Sequence, residues 1–357
     1  MADAFVNRIA TATPPNDVHQ FFLDFARAQI GGNSMYRTLF ERMAEKGGIR
    51  HRFSCIAPAD DPSGPVVDVE GLFPRGSFPG TNKRMQIYEE RAPQLAEAAV
   101  ARLELGGDAK RVTHVIVTSC TGFSAPGLDL EIVARCGLDR SAERTIVGFM
   151  GCYAAISGLK LARHIVRSEP RSRVLLVNLE LCTLHLKETK DIEQLLSFYL
   201  WGDGCAASLI SAEATGIRLD SFRSFLAEDT SELMEWHVRE DGFDMVLSGK
   251  VPGAIRHTLK ERHGEILDGR RPEAIDLWAV HPGGRSVLDA VAKALKLDPG
   301  ALSASRGVLR DYGNMSSATV MFVLKALMAQ DRRGAHGCGM AFGPGLTAET
   351  MLFSTAA

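Results

Sequence analysis

A repeated 33-residue interval constrains this chain more than any other feature. Ser119 closes an apolar run, and Cys152 opens a small-residue stretch 33 positions later; His281 and Asn314 repeat the arrangement at the same interval. The first copy runs THVIVTSCTG, a helical stretch, Gly137-Leu138-Asp139, a short strand, then Gly151-Cys152 opening a small-residue helix. The second runs IDLWAVHPGG, a helical stretch, Lys296-Leu297-Asp298, a short strand, then Gly313-Asn314 opening another. Each copy sets one polar residue at a strand end and one at a helix start. That predicts a duplicated α/β unit whose helix starts converge on one central site. Chance likeness between two strand–helix units is the competing reading.

The rest of the chain fits an α/β alternation. Short apolar runs read as buried strands at Val112–Ser119, Val174–Leu179, Ala206–Ile210 and Ile275–Val280. Longer amphipathic stretches read as helices at Arg84–Leu105, Tyr153–Arg167, Ser286–Leu295 and Ser316–Met328. Turn-rich insertions interrupt the pattern at Ala57–Thr81 and Ala227–Pro252, and the first reads as an excursion over the surface. A chain of 357 residues can hold two halves sharing a large core. The expected division is 1–211, carrying Cys152, and 212–357, carrying His281 and Asn314.

Charge and cysteine content narrow the function. With 41 basic and 43 acidic residues the net charge is -2, which argues against a broad nucleic-acid surface. No apolar run approaches the ~18 residues of a membrane span, so no stable membrane insertion is expected. Asp3 and Arg8 interrupt the apolar stretch that a signal peptide needs, which points to the cytoplasm. The seven cysteines are scattered, with no CxxC pair, so neither a disulfide framework nor a metal cluster is expected.

Three residues carry the chemistry. Cys152 would sit in the first turn of a buried helix, where unpaired backbone N–H groups and the helix dipole favour the thiolate. A small buried hydrophobe is the alternative. His281 ends a strand and precedes Pro282-Gly283-Gly284, a turn that leaves its imidazole facing a cavity. Asn314 could be a plain helix cap, but the repeat sets it opposite Cys152. A thiolate, an imidazole and a side-chain amide together suit acyl transfer through a thioester. There is no GxSxG elbow and no HExxH motif, and Phe342 breaks a GxGxxG pattern in the glycine-rich tail.

At these residues the chain resembles the type III polyketide synthases, the chalcone synthase-like branch of the thiolase superfamily. The resemblance rests on GFMGCYAA around Cys152, LWGDGCAA at 200–207, WAVHPGG ending at Gly284, YGNMSSA at 312–318 and FGPGLTAE at 342–349. It implies a thiolase fold, a duplicated five-layered αβαβα arrangement of two similar halves. It also implies a homodimer, a Cys152/His281/Asn314 triad, an acyl-CoA starter and malonyl-CoA extender, and no metal or redox cofactor. Coenzyme A contacts are implied at Arg42, Lys46, Gly283 and Ser286, while Leu39 replaces one further basic position. For Arg42 and Lys46, ordinary solvated helix charge is the alternative.

The same resemblance places Cys120, Thr121, Ala125, His185, Trp201, Met245 and Ser316 around the substrate. Trp201 and Met245 stand where plant relatives carry gatekeeper phenylalanines. Ala125 replaces a methionine that crosses the dimer interface into the partner's cavity, and Cys120 and His185 replace threonines. Smaller or more flexible residues at 125 and 245 favour a long fatty acyl starter, although the bulk of Trp201 opposes it. The expected product is an alkylresorcinol or alkylpyrone. A ketoacyl-carrier-protein synthase making one condensation, a synthase using an aromatic starter, and a non-catalytic thioester binder are the alternatives.

Overall fold

Side-chain alternation decides the layers. In the strand His114–Ser119, Val115 and Val117 enter one apolar cluster and Ile116 enters another. In Leu277–Val280, Leu277 and Ala279 share the cluster of Ile116, while Trp278 and Val280 enter a third. Strands buried on both faces read as continuous apolar runs, which is why they are legible in the sequence. The computed structural model describes residues 2–356.

The cluster common to both strands is built around two buried helices, Ala154–Ser168 and Thr319–Met328. Helices Thr81–Ala101 and Leu128–Arg135 cover the outer face of the first half, and Val251–Ile266 and Arg285–Leu295 that of the second. Helix, sheet, helix, sheet and helix follow one another, the expected five layers.

Among the described residues the main sheet has nine strands, in the order Leu277–Val280, His336–Gly343, Thr347–Thr355, Ile217–Leu226, Phe5–Ala12, Asp203–Ser211, Val174–Leu181, His114–Ser119 and Glu143–Gly148. Two residue pairs, Phe5–Arg218 and Val6–Ile217, join its halves. His114–Ser119 runs parallel to Val174–Leu181, and Leu277–Val280 runs parallel to His336–Gly343. The strand ends bearing Ser119 and His281 are therefore equivalent.

Three expectations need correction. The short strand expected before Gly313 is a helix, Ser303–Tyr312, because Ser305, Val308 and Leu309 are buried at helical spacing. Its counterpart in the first copy is a strand, Glu143–Gly148, on the free edge of the sheet. The turn-rich stretch Ala227–Pro252 contains a hairpin, Met234–Arg239 with Gly242–Leu247, pairing Trp236 with Met245. The stretch Ala57–Thr81 is anchored inward. Its fully buried Asp68 accepts the backbone N–H groups of Glu70, Leu72 and Phe73, and Val67 and Phe73 join the core.

Candidate active site

Two glycines in left-handed conformations set the two turns. Gly151 has φ +71° and Gly313 has φ +70°, at equivalent places in the repeat. A Cβ at 151 would lie 2.3 Å from Pro344 Cδ, and one at 313 would lie 2.7 Å from the Leu200 carbonyl. Only glycine suits both the conformation and the space. Cys152 then falls in a 3₁₀ turn, Gly151–Tyr153, that feeds helix Ala154–Ser168. Asn314 precedes a matching turn, Ser316–Ala318, that feeds Thr319–Met328. His281 follows strand Leu277–Val280 directly, its backbone N–H donating to Met340 at 2.7 Å.

The three side chains meet at one cavity of about 610 Å³. Trp201, Met245, Lys46, Gly283 and Ser286 line it as well. Asn314 is oriented by its surroundings. Its Oδ1 accepts the Ser316 backbone N–H at 2.9 Å, which leaves the NH₂ group as the end able to donate elsewhere. Its Nδ2 makes a long 3.4 Å contact with the Gly283 carbonyl and also reaches the Cys152 thiol. His281 is 1% exposed, yet neither ring nitrogen has a hydrogen-bond partner among the described residues. A buried imidazole with both nitrogens free and facing a cavity suits a group that bonds to a substrate.

Burial governs the ionisation of the pair. It pushes the Cys152 thiol up to about 12, against weaker lowering by the Ser316 hydroxyl, the residue's own backbone N–H and the Asn314 amide. It pushes the His281 imidazole down to about 3. The helix start therefore does not supply the thiolate by itself, contrary to the sequence expectation, because desolvation outweighs the dipole in a site this enclosed.

Five residues expected around the substrate stand outside the cavity lining. Cys120, Thr121 and Ser316 belong to a buried cluster around Glu180, which the sequence reading missed. Glu180 accepts the Cys120 backbone N–H at 3.0 Å, the Thr121 hydroxyl at 2.8 Å and the Ser317 hydroxyl at 2.5 Å. Ser316 Oγ lies 3.2 Å from Cys120 Sγ and also bonds Cys152, so it links the cluster to the cavity. His185 is fully buried, with Nε2 bonded to the Thr121 carbonyl at 2.7 Å and Nδ1 accepting the Phe243 N–H at 3.0 Å. Its ring stacks on Phe243 at 4.1 Å, and it acts as a structural clamp.

Ala125 is exposed, in a loop beside the edge strand: a Cβ at neighbouring Gly127 would lie 2.8 Å from Ile146 Cδ1. It does not line its own chain's cavity. Arg42 is exposed one helical turn from Lys46, also outside the lining. Missed basic and apolar lining residues include Arg285, whose Nη1 donates to the Lys46 carbonyl at 2.9 Å, and Met43. Helix Ile192–Leu200 adds Glu193, Leu196, Ser197 and Leu200 at helical spacing, a signal readable just before LWGDG.

Comparisons with known proteins cover the whole chain. Residues 2–214 match the N-terminal domain of chalcone and stilbene synthases, and residues 219–357 match the C-terminal domain of the same family. Bisdemethoxycurcumin synthase of Oryza sativa subsp. japonica is 33% identical, across 98% of this chain and 92% of that protein. The alpha-pyrone synthesis polyketide synthase-like Pks18 of Mycobacterium tuberculosis is 32% identical, across 98% and 91%. Among solved structures, 1,3,6,8-tetrahydroxynaphthalene synthase of Streptomyces coelicolor A3(2), a bacterial type III polyketide synthase, superposes with a TM-score of 0.85. It is 29% identical and covers 99% of both chains. The C-terminal type III polyketide synthase domain of Steely1 from Dictyostelium has a TM-score of 0.88 at 24% identity, covering 99% of this chain and 100% of that one.

Proposed function

The chain belongs to the chalcone and stilbene synthase family, the type III polyketide synthases, acyltransferases with the thiolase fold, and from that premise we propose that it extends a long-chain fatty acyl-CoA with several malonyl-CoA units and cyclises the product to an alkylpyrone or alkylresorcinol. The convergence of Cys152, His281 and Asn314 on one cavity carries this reading. Cys152 gives its proton to His281 and attacks the starter thioester, releasing coenzyme A, which takes the proton back. Malonyl-CoA then loses carbon dioxide, and the enolate oxygen is held by N–H groups of His281 and Asn314. The enolate carbon attacks the Cys152 thioester, forming a C–C bond and expelling the Cys152 thiolate. These are thioester steps carried by side chains, so the proposal requires no cofactor.

The fatty starter is supported by the apolar Leu196, Leu200, Met234, Met245 and Leu247 in the cavity wall. The alpha-pyrone synthesis in the name of Pks18 supports the lactone outcome. Coenzyme A would enter past Lys46, Arg285 and Ser286, where the N-terminus of helix Arg285–Leu295 favours phosphate. An exposed edge strand, Glu143–Gly148, with exposed Phe123, Ile146 and Phe149 nearby, supports a homodimer. Seven unpaired cysteines fit the cytoplasm. The test is a mass-spectrometric survey of products from malonyl-CoA and a panel of acyl-CoAs. Multiply extended, cyclised products from long-chain starters are expected. A single condensation, or preference for an aromatic starter such as p-coumaroyl-CoA, would overturn the assignment.

A further inference from the structure

Three of the large apolar side chains left exposed lie on one helix, Ser34–Gly47. Met35 is 68% exposed, Leu39 42% and Met43 44%. Their spacing of four residues aligns them in a stripe about 12 Å long. Arg42 and Lys46, also exposed, share that outward side. At one residue per 100°, all five fall within about 100° of arc. Glu41 and Glu45 lie outside the arc, and Glu41 is 3.6 Å from Arg27.

The opposite side fixes the helix to the fold. Phe40 is fully buried and meets the Tyr199 ring edge-on at 6.3 Å. The Tyr199 hydroxyl donates to the Ala44 carbonyl at 2.8 Å, and a Cβ at Gly47 would lie 2.6 Å from that hydroxyl. Asn33 caps the start, its Oδ1 accepting the Tyr36 N–H at 3.1 Å. The helix is therefore seated without its outward side chains, and the stripe is free to meet something else.

Its far end reaches the active site. Met43 and Lys46 line the cavity of Cys152, with Arg285 beside them, and the apolar wall continues inward at Leu196 and Met245. Glu193 and Asp289 also reach this rim, and Arg306 pairs with Asp289 at 2.6 Å. An exposed helix that mixes apolar and basic side chains on one face has the pattern of an interfacial helix. Met35, Leu39 and Met43 form a ridge, which a fluid surface can accommodate, and Arg42 and Lys46 complement negative charge. No helix among the described residues is long and apolar enough to cross a membrane, so such a contact is peripheral.

We propose that the outward face of helix Ser34–Gly47 rests on an anionic lipid surface. Met35, Leu39 and Met43 enter the boundary between headgroups and acyl chains, and Arg42 and Lys46 meet lipid phosphates. A long-chain acyl-CoA held in a bilayer keeps its thioester near that boundary, which is the level at which the cavity mouth then opens. The inference rests on the acyl-CoA reading above for what passes through the mouth, and not for the contact itself.

The test is flotation of the substrate-free protein with vesicles of phosphatidylcholine alone, or of phosphatidylcholine and phosphatidylglycerol in equal parts. The parent should float with the anionic vesicles and be released by salt, each basic group being worth about five-fold in binding. Met35→Glu, at the end of the stripe farthest from the cavity, should weaken that binding at least about ten-fold. Met35→Leu should retain it. Both variants should match the parent in product from a short, water-soluble acyl-CoA, and Leu39→Glu replaces Met35→Glu should that variant fail to fold. The proposal is overturned if the parent does not float, floats equally with both vesicles, or floats undiminished after Met35→Glu. It is also overturned if Met35→Glu changes the mass of the lipid-free protein, which would give the stripe to a second copy. Binding of an acidic acyl carrier protein that is lost in Met35→Glu, with no flotation of the parent, would give it to a protein partner and overturn it likewise. A parent that floats but makes no polyketide from any acyl-CoA would refute the functional reading and leave the lipid contact standing.

Discussion

Trp201 and Asn314 are joined by a parallel β-bridge. The Asn314 N–H donates to the Leu200 carbonyl at 2.7 Å, and the Gly202 N–H donates to the Asn314 carbonyl at 3.0 Å. The amide of one half of the molecule is thereby registered on a cavity wall of the other half. Because the link is made by backbone alone, a change of the Trp201 side chain leaves it intact. Gly202 has no such freedom, since a Cβ there would lie 2.6 Å from the Tyr312 carbonyl.

That registration bears on the first prediction. Asn314 presents its NH₂ end because Oδ1 is held by the Ser316 N–H, so its role belongs to the enolate oxygen. Asn314→Ala should lower malonyl-CoA decarboxylation by about 10²–10³, the usual loss for one oxyanion donor. Starter loading should fall much less. Radiolabelled acyl-enzyme formation and carbon dioxide release, measured side by side, separate the two. Equal losses in both would assign the amide to thiol activation instead.

The second prediction concerns how Cys152 becomes a nucleophile. With its thiol pushed up to about 12, an unassisted Cys152 would be thiolate in on the order of one molecule in 10⁵ at pH 7. Burial pushes the His281 imidazole down to about 3 and disfavours a standing imidazolium, so its unpartnered ring nitrogen would accept the proton only as the attack proceeds. His281→Ala should therefore slow alkylation of Cys152 by iodoacetamide at pH 7 by at least about ten-fold, and remove polyketide formation. Cys152→Ala should also remove polyketide formation while some malonyl-CoA decarboxylation survives, since His281 and Asn314 remain. Undiminished alkylation in the His281 variant would show that the thiolate arises without the imidazole.

What the sequence discloses about this site follows from which forces act locally. Strands such as Leu277–Val280 are buried on both faces and write unbroken apolar runs. The left-handed turns before Cys152 and Asn314 demand glycine, so Gly151 and Gly313 mark both helix starts. Glu180 was not legible, since it sits inside an apolar strand and its partners Cys120, Thr121 and Ser317 are 59 to 137 residues away. The raised Cys152 thiol was missed for the same reason. A helix start is visible in one segment, but desolvation is the sum of every element that closes over it. His185 looked like a cavity residue by its alignment, and its role is decided by two backbone groups, at Thr121 and Phe243, brought together only in the fold.

His185 yields the third prediction. Burial pushes its imidazole down to about 3, below the ordinary 6.5, so the unfolded chain binds a proton that the folded chain refuses. Its stabilisation is complete above pH 6.5 and is lost as pH falls toward 3. The loss is about 1.4 kcal/mol per pH unit. Asp203 works in the opposite sense, because burial raises it to about 6 and its contribution fades as pH rises from 3.8 to 6. A comparison of two proteins differing only at 185 removes that background. His185→Gln, which can keep both backbone bonds, should be less stable than the parent at pH 7 and gain on it by about 1.4 kcal/mol per unit between pH 6 and 4. Urea unfolding at several pH values measures the difference, and a pH-independent gap would mean that His185 is already protonated in the fold.

The last prediction concerns the free edge of the sheet. Glu143–Gly148 pairs only with His114–Ser119, leaving one row of backbone groups open. Ile146 is 49% exposed and Phe123 55%, with the Phe123 and Phe149 rings 6.0 Å apart beside them. An open edge that carries large apolar side chains is a surface that a soluble chain covers. A second copy, related by two-fold symmetry, would cover it with the same elements. Ala125 is exposed two residues before Gly127, whose Cβ would meet Ile146, and it lies outside its own cavity. In the proposed dimer, an influence on the substrate would come through a partner's cavity. Ile146→Lys puts a charge on the shared face and should convert the dimer to a monomer, read by light scattering or sedimentation at micromolar concentration. Ala125→Trp should leave the dimer intact and shorten the preferred acyl chain, with short starters still accepted. A parent protein with the mass of one chain would refute the dimer. An Ala125→Trp variant that lowers every starter equally would confine that residue to the interface and remove it from the substrate's path.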